Sequence, residues 1–132
     1  MTAVAPWLQI VAVAIGAALG ALLRWRTGVW LNGGPSLVIG FPLGTLVVNC
    51  VGGLLIGAAL MYFERTPNEL LRLLWITGFL GGLTTFSSFS VESLVMLQRV
   101  EWPLALGHTL AHVFGSLLCA ILGFALARAA FD

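Results

Sequence analysis

Residues 78–92 read GFLGGLTTFSSFSVE, and this stretch departs from the pattern of an ordinary apolar helix. Gly78, Gly81 and Gly82 remove side chains where a helix favours them. Thr84, Thr85, Ser87, Ser88 and Ser90 then place hydroxyls around Phe86 and Phe89, and an acid, Glu92, follows. If the stretch crosses a membrane, backbone groups freed by a break must face protein, an ion or water rather than lipid. A helix broken near Gly81–Thr84 at membrane depth points to an ion site.

The remainder of the chain puts the stretch in a membrane. Of 132 residues, 60% are hydrophobic and 8% charged, with a mean hydropathy of +1.05. A soluble domain carries about 25% charged residues, so this chain cannot coat a water-facing surface. It reads as an all-α integral membrane protein with one domain over residues 1–132. At about 20 apolar residues per span, four transmembrane helices fill the length. They are expected over about residues 7–30, 37–63, 68–98 and 104–128. The first apolar run lacks the basic flank of a cleaved signal peptide, so it is read as a retained helix.

Small residues recur at helix-contact spacing: Gly16/Gly20, Gly40/Gly44 and Gly53/Gly57. Such pairs let helix backbones approach closely in lipid. The last helix repeats them as Gly107, Ala111, Gly115, Cys119, Gly123 and Ala127, beside a polar line of His108, His112 and Ser116. Pro42 marks a kink or a late start to the second helix. Cys50 and Cys119 read as small packing residues. The net charge of +1 suggests no nucleic-acid partner. No nucleophile–base pair or phosphate loop supports an enzyme.

The arginines bear on orientation. With four spans, Arg65, Arg72 and Arg128 share one side, and Arg24, Arg26 and Arg99 the other. Orientation follows the difference in positive charge between the sides, and here the two sides balance. The expectation is dual topology, with opposed copies pairing as an antiparallel homodimer about a two-fold axis.

The candidate chemistry is that of a small ion. After a break at Gly81–Thr84, Phe86, Phe89 and Ser93 share one helical face, and Thr85, Ser88 and Glu92 the next. A phenyl ring is positive along its edge, so two rings could stabilise a small anion without trapping it. The resumed helix offers its positive end, while carbonyls freed upstream could hold a cation. Asn49 either joins helices or donates its amide to an anion. Arg24 anchors the end of the first helix and adds positive charge near a vestibule. Glu92 is either proton-coupled or hydrogen-bonded to neighbouring hydroxyls. His108 and His112 have the spacing of two metal ligands, but with no acid between them and no third ligand nearby in sequence a zinc site is not favoured.

The stretch GFLGGLTTFSSFSVE, together with GTLVVNCVGG in the second helix and GAALGALLRW in the first, resembles the CrcB/Fluc family of fluoride channels. The resemblance covers nearly the whole chain. It implies a dual-topology dimer in a prokaryotic plasma (inner) membrane, with two fluoride pores and a structural sodium ion. Backbone carbonyls of Gly81 and Thr84 from both copies would hold the sodium. Phe86 and Phe89 would meet fluoride with their ring edges, and Asn49, Ser88 and Ser116 would be polar pore residues. Glu92 matches the family's acid near the pore, and Arg24 its arginine at the end of the first helix. His108 stands where relatives often carry a tyrosine. If it lines the pore, conduction should vary over about pH 5–8, where histidine titrates. The competing reading is a small dual-topology proton-coupled multidrug exporter. Such a protein needs a membrane acid in its first helix, and this helix has none.

Overall fold

The computed structural model describes residues 4–32 and 40–131, which form helices with no strand among them. Helix α1 spans Pro6–Asn32, α2 Leu43–Arg65 and the last helix, α5, Trp102–Phe131. The third span runs Glu69–Gln98 but is not continuous. Its first part, α3 (residues 69–83), begins as Glu69–Arg72, widens into a π-helix over Leu73–Leu80, and closes with Gly81–Leu83. Its second part, α4, is Phe86–Gln98. All four spans are long and apolar enough to cross a bilayer.

The starts of these helices follow from local chemistry. Pro6 opens α1, where a missing N–H costs nothing. The start expected near residue 37 gives way to one at Leu43, residues 37–39 lying outside the described residues. Gly40 has a left-handed φ of 66°, and Pro42 disfavours helix in the residue before it. Asn32 then caps α2 from the end of α1, its Oδ1 accepting the Gly44 N–H at 2.8 Å. Asn68 caps α3 by accepting the Leu71 N–H at 3.0 Å. At the opposite end of α2, Arg65 donates to the Phe131 carbonyl at 2.9 Å and lies over its ring, tying the C-termini of α2 and α5 together.

Glycine sets how the helices pack, because dispersion contact must replace hydrophobic drive inside lipid. Along the α2–α5 contact, a Cβ at Gly53 would sit 2.5 Å from the Ser116 carbonyl oxygen. One at Gly57 would collide with the Ala120 carbonyl, and one at Gly123 with that of Leu54. Along the α1–α3 contact, Gly16 and Gly20 face the backbone of the π segment. Gly78 and Gly82 return the contact against Val13 and Ala17. Val48, Leu80 and Leu83 form the small buried core under the break, with Ile56 and Phe79 packed on it. Outward-facing side chains such as Ile10, Leu22, Leu118, Ile121 and Leu126 are exposed and apolar, as a lipid-facing surface requires.

Candidate functional site

The helix stops at two residues, Thr84 and Thr85, both in extended conformation (ψ 157° and 121°). Gly81 and Gly82 remain helical, so the interruption is shorter and later than the expected Gly81–Thr84 break. Thr84 closes the upstream end by donating both its N–H and its hydroxyl to the Leu80 carbonyl, each at 2.9 Å. Thr85 opens the downstream end, its Oγ1 accepting the Ser88 N–H at 3.1 Å. Its own backbone is held by α2: the Thr85 N–H donates to Asn49 Oδ1 at 2.8 Å, and Asn49 Nδ2 donates to the Thr85 carbonyl at 3.0 Å.

The four carbonyls from Gly81 to Thr84 lose their i+4 partners at the break, and for the first and last of them the structure shows where the partner amide goes. In an unbroken helix the amide of Thr85 would bond to the Gly81 carbonyl, and that of Ser88 to the Thr84 carbonyl. Both amides are instead taken by side chains. Gly81 is exposed, and a Cβ there would find its nearest neighbour, the Ile76 carbonyl oxygen, at 3.8 Å. This donor set, neutral oxygens beside open space, fits a monovalent hard cation.

Downstream, aromatic rings and hydroxyls converge from α4 and α5. The rings of Phe86 and Phe89 lie 5.3 Å apart, and Phe89 stacks on His108 at 5.2 Å with an interplanar angle of 11°. His112 touches both Phe89 (4.9 Å) and His108 (4.4 Å). His108 is fully buried and engaged on both nitrogens, Nδ1 with Ser93 Oγ at 3.1 Å and Nε2 with Glu92 at 3.3 Å. The other oxygen of Glu92 accepts a short hydrogen bond from the Thr45 hydroxyl on α2. Glu92 therefore bonds to Thr45 and His108, rather than to the Ser88 and Thr85 hydroxyls.

These groups border two cavities that share Thr85. The first, about 630 Å³, is lined by Asn49, Gly81, Thr84, Phe86, Phe89 and Ser116, among others. The second, about 670 Å³, is lined by Arg24, Thr45, Ser88 and Glu92. His108 borders neither cavity; it is packed behind Phe89. His112 takes the wall position in the first cavity. Its place on the polar line beside Ser116 was the available signal, since the i, i+4 spacing puts both on one face. His112 Nδ1 lies 3.2 Å from Asn49 Nδ2, while its Nε2 is buried with no hydrogen-bond partner among the described residues.

Four apolar spans, one of them interrupted at a polar and aromatic site between two cavities, define a multi-pass membrane protein. Sequence comparison narrows the class. Residues 11–124 match the family model described as "CrcB-like protein, Camphor Resistance (CrcB)", and the chain belongs to that family. The chain is 53% identical to the fluoride-specific ion channel FluC of Pseudomonas aeruginosa over 119 residues, which is 89% of this chain and 91% of the relative. It is 51% identical to the protein of the same name from Albidiferax ferrireducens over 118 residues, 88% of each chain. With that of Aromatoleum aromaticum it shares 49% over 127 residues, 95% of each. These relatives are ion channels rather than enzymes.

Proposed function

We propose that this protein is a fluoride channel that lets the anion leave a prokaryotic cytoplasm passively across the plasma (inner) membrane. The observation that carries the reading is the interrupted third span, where Phe86 and Phe89 adjoin hydroxyls and a capped helix start beside open cavities. Identity of about half to fluoride channels over nearly the whole chain supports the same conclusion.

The chemistry of the ion fits these residues. Fluoride is small and strongly hydrated, so a path must replace water with hydrogen-bond donors while staying too narrow for larger anions. Phe86 and Phe89 supply positive ring edges, and Ser88 and Ser116 supply hydroxyls. Asn49 organises the path between them. Arg24 adds positive charge at the second cavity, beside Glu92, which is hydrogen-bonded within the bundle. His108 backs the ring of Phe89. Hydrogen fluoride enters cells as a neutral weak acid and dissociates inside, so a passive anion path is sufficient to lower its accumulation.

The working unit is an antiparallel, dual-topology homodimer with two pores. The balance of three arginines on each side supports it, as does the exposure of Gly81 on the described surface. A sodium ion at the two-fold axis would be held by the Gly81 and Thr84 carbonyls of both copies. When bound it would supply a charge that joins the four carbonyls and locks the broken spans together. The release of those carbonyls from the helix by Asn49 and the Thr85 cap is what supports this role. Fluoride efflux from liposomes containing the purified protein tests the proposal. Rapid efflux of fluoride without chloride, needing no proton gradient, is the expected result; a folded protein that passes no fluoride would overturn it.

A further inference from the structure

The pairing of Asn49 with Thr85 determines more than the helix break. An amide side chain can be built with its oxygen and nitrogen exchanged, and the hydrogen-bond network decides between the two. Here Oδ1 faces an N–H and Nδ2 faces a carbonyl of the same residue, Thr85, so the orientation is fixed. One amide hydrogen is used on the Thr85 carbonyl. The other is directed at His112 Nδ1, 3.2 Å away. Amide nitrogen only donates, so Nδ1 must accept, and the neutral ring carries its proton on Nε2. That Nε2–H is the buried donor without a partner.

We infer that His112, through its Nε2–H, is the nitrogen donor offered to the anion, and that Asn49 acts as a positioning residue that fixes the histidine's tautomer. This rests on reading the first cavity as part of a fluoride path. Both amide hydrogens of Asn49 are already committed, so it has none left for the ion. His112 lines the cavity with Phe86 and Phe89, and the Phe89 ring lies 4.9 Å from the imidazole. A buried N–H that lacks an acceptor is matched by an anion, and fluoride is the strongest halide acceptor.

The same cluster also resembles a metal site. Glu92, His108 and His112 each offer one ligand atom, all within 4.8 Å of one another, which supplies the third ligand not apparent from the local sequence. A metal needs a nitrogen lone pair on each histidine. In the tautomer set by Asn49, the one lone pair on the His112 ring is on Nδ1, where it faces the Asn49 amide. Zinc could bind either nitrogen of the ring only if Asn49 gave up its bond to His112 or its pairing with Thr85. The geometry favours the anion.

The test uses the full-length protein, labelled with ¹⁵N-histidine and purified as it assembles. The ring of His112 should show the Nε2–H tautomer, and its Nε2 proton and nitrogen should shift on addition of sodium fluoride but not sodium chloride. Asn49→Asp replaces the donor with an acceptor and should move the proton to Nδ1, a change that a purely structural role for Asn49 would not produce. In liposomes, His112→Leu should cut fluoride efflux at least tenfold while His112→Gln, which keeps a donor, retains most of it. Wild-type efflux with no loss in His112→Leu would sink the inference and leave the channel reading intact. Absence of both wild-type efflux and a fluoride-dependent shift would sink both. An Nδ1–H ring in the wild type, or a ring that responds to Zn²⁺ and ignores fluoride, would make the three residues a metal site instead.

Discussion

Asn49 on α2 pairs with both backbone groups of Thr85, accepting its N–H at 2.8 Å and donating to its carbonyl at 3.0 Å. The pairing replaces the helical hydrogen bond that the Thr85 N–H forgoes, and adds a second bond to a carbonyl that, as the N-cap of α4, already accepts the first bond of that helix. Removing one partner of a buried hydrogen bond strands the other, at about 1–3 kcal/mol per group. Asn49→Leu should therefore lower the thermal unfolding temperature of the detergent-solubilised protein and broaden its elution on gel filtration. An unchanged transition would show that the break does not depend on α2.

Glu92 is the hub of a second network, accepting from Thr45 and hydrogen-bonded to the fully buried His108. Glu92→Leu orphans both partners and should destabilise by about 2–3 kcal/mol or more. Glu92→Gln should be milder. Its oxygen still accepts from Thr45, and its amide can donate to His108 once that ring moves its proton to Nδ1, beside Ser93. Thermal melts of the two variants side by side check the order; equal losses would contradict the assignment.

The small residues of α5 are not equivalent. A Cβ at Gly123 collides with the Leu54 carbonyl, whereas one at Gly107 meets nothing within 4 Å. Gly123→Ala should cost about 1–3 kcal/mol through overpacking of α2 against α5. Gly107→Ala should be neutral or stabilising, by up to about 1 kcal/mol from helix propensity. Relative melting temperatures of the two single variants provide the check, and a destabilised Gly107→Ala would contradict it.

Much of this was legible in the sequence, and the exceptions have physical causes. The four spans follow from composition and length alone, as does the presence of an interruption in the third. The interruption falls at Thr84 and Thr85 rather than at the glycines, because glycines permit a break without forcing one. Gly82 is helical and serves contact with Ala17 of α1. What stops the helix is the hold of Asn49 on Thr85, 36 residues away in sequence, and no local pattern encodes a partner at that distance. The polar line of α5 was visible, but which histidine faces the cavity depends on the rotation of α5 against α2, set by Gly53, Gly57 and Gly123. The acid beside those histidines comes from α4, 16 residues before His108, so the spacing within α5 does not reveal it.

Orientation in the membrane gives an independent check. A reporter fused to the C-terminus should signal from both sides of the membrane in one population, because the arginines are balanced three against three. Adding two arginines at the C-terminus should bias the signal to the cytoplasmic side and, with opposed partners scarce, lower the yield of dimer. Signal from a single side in the unmodified protein would contradict dual topology.

Phe86 and Phe89 differ in their surroundings, and this separates conduction from assembly. Phe86 is 78% exposed, whereas Phe89 packs on both histidines. Phe86→Ile should leave the dimer and its melting temperature intact. Phe89→Ile should also loosen His108 and His112.

The most direct test is fluoride efflux from liposomes reconstituted with wild type and with Phe86→Ile, each shown by gel filtration to be assembled. The account expects fast efflux of fluoride, without chloride and without a proton gradient, from the wild type, and its loss in the assembled variant. Wild-type vesicles that retain their fluoride, or a Phe86→Ile protein that conducts as well as the wild type, would contradict it.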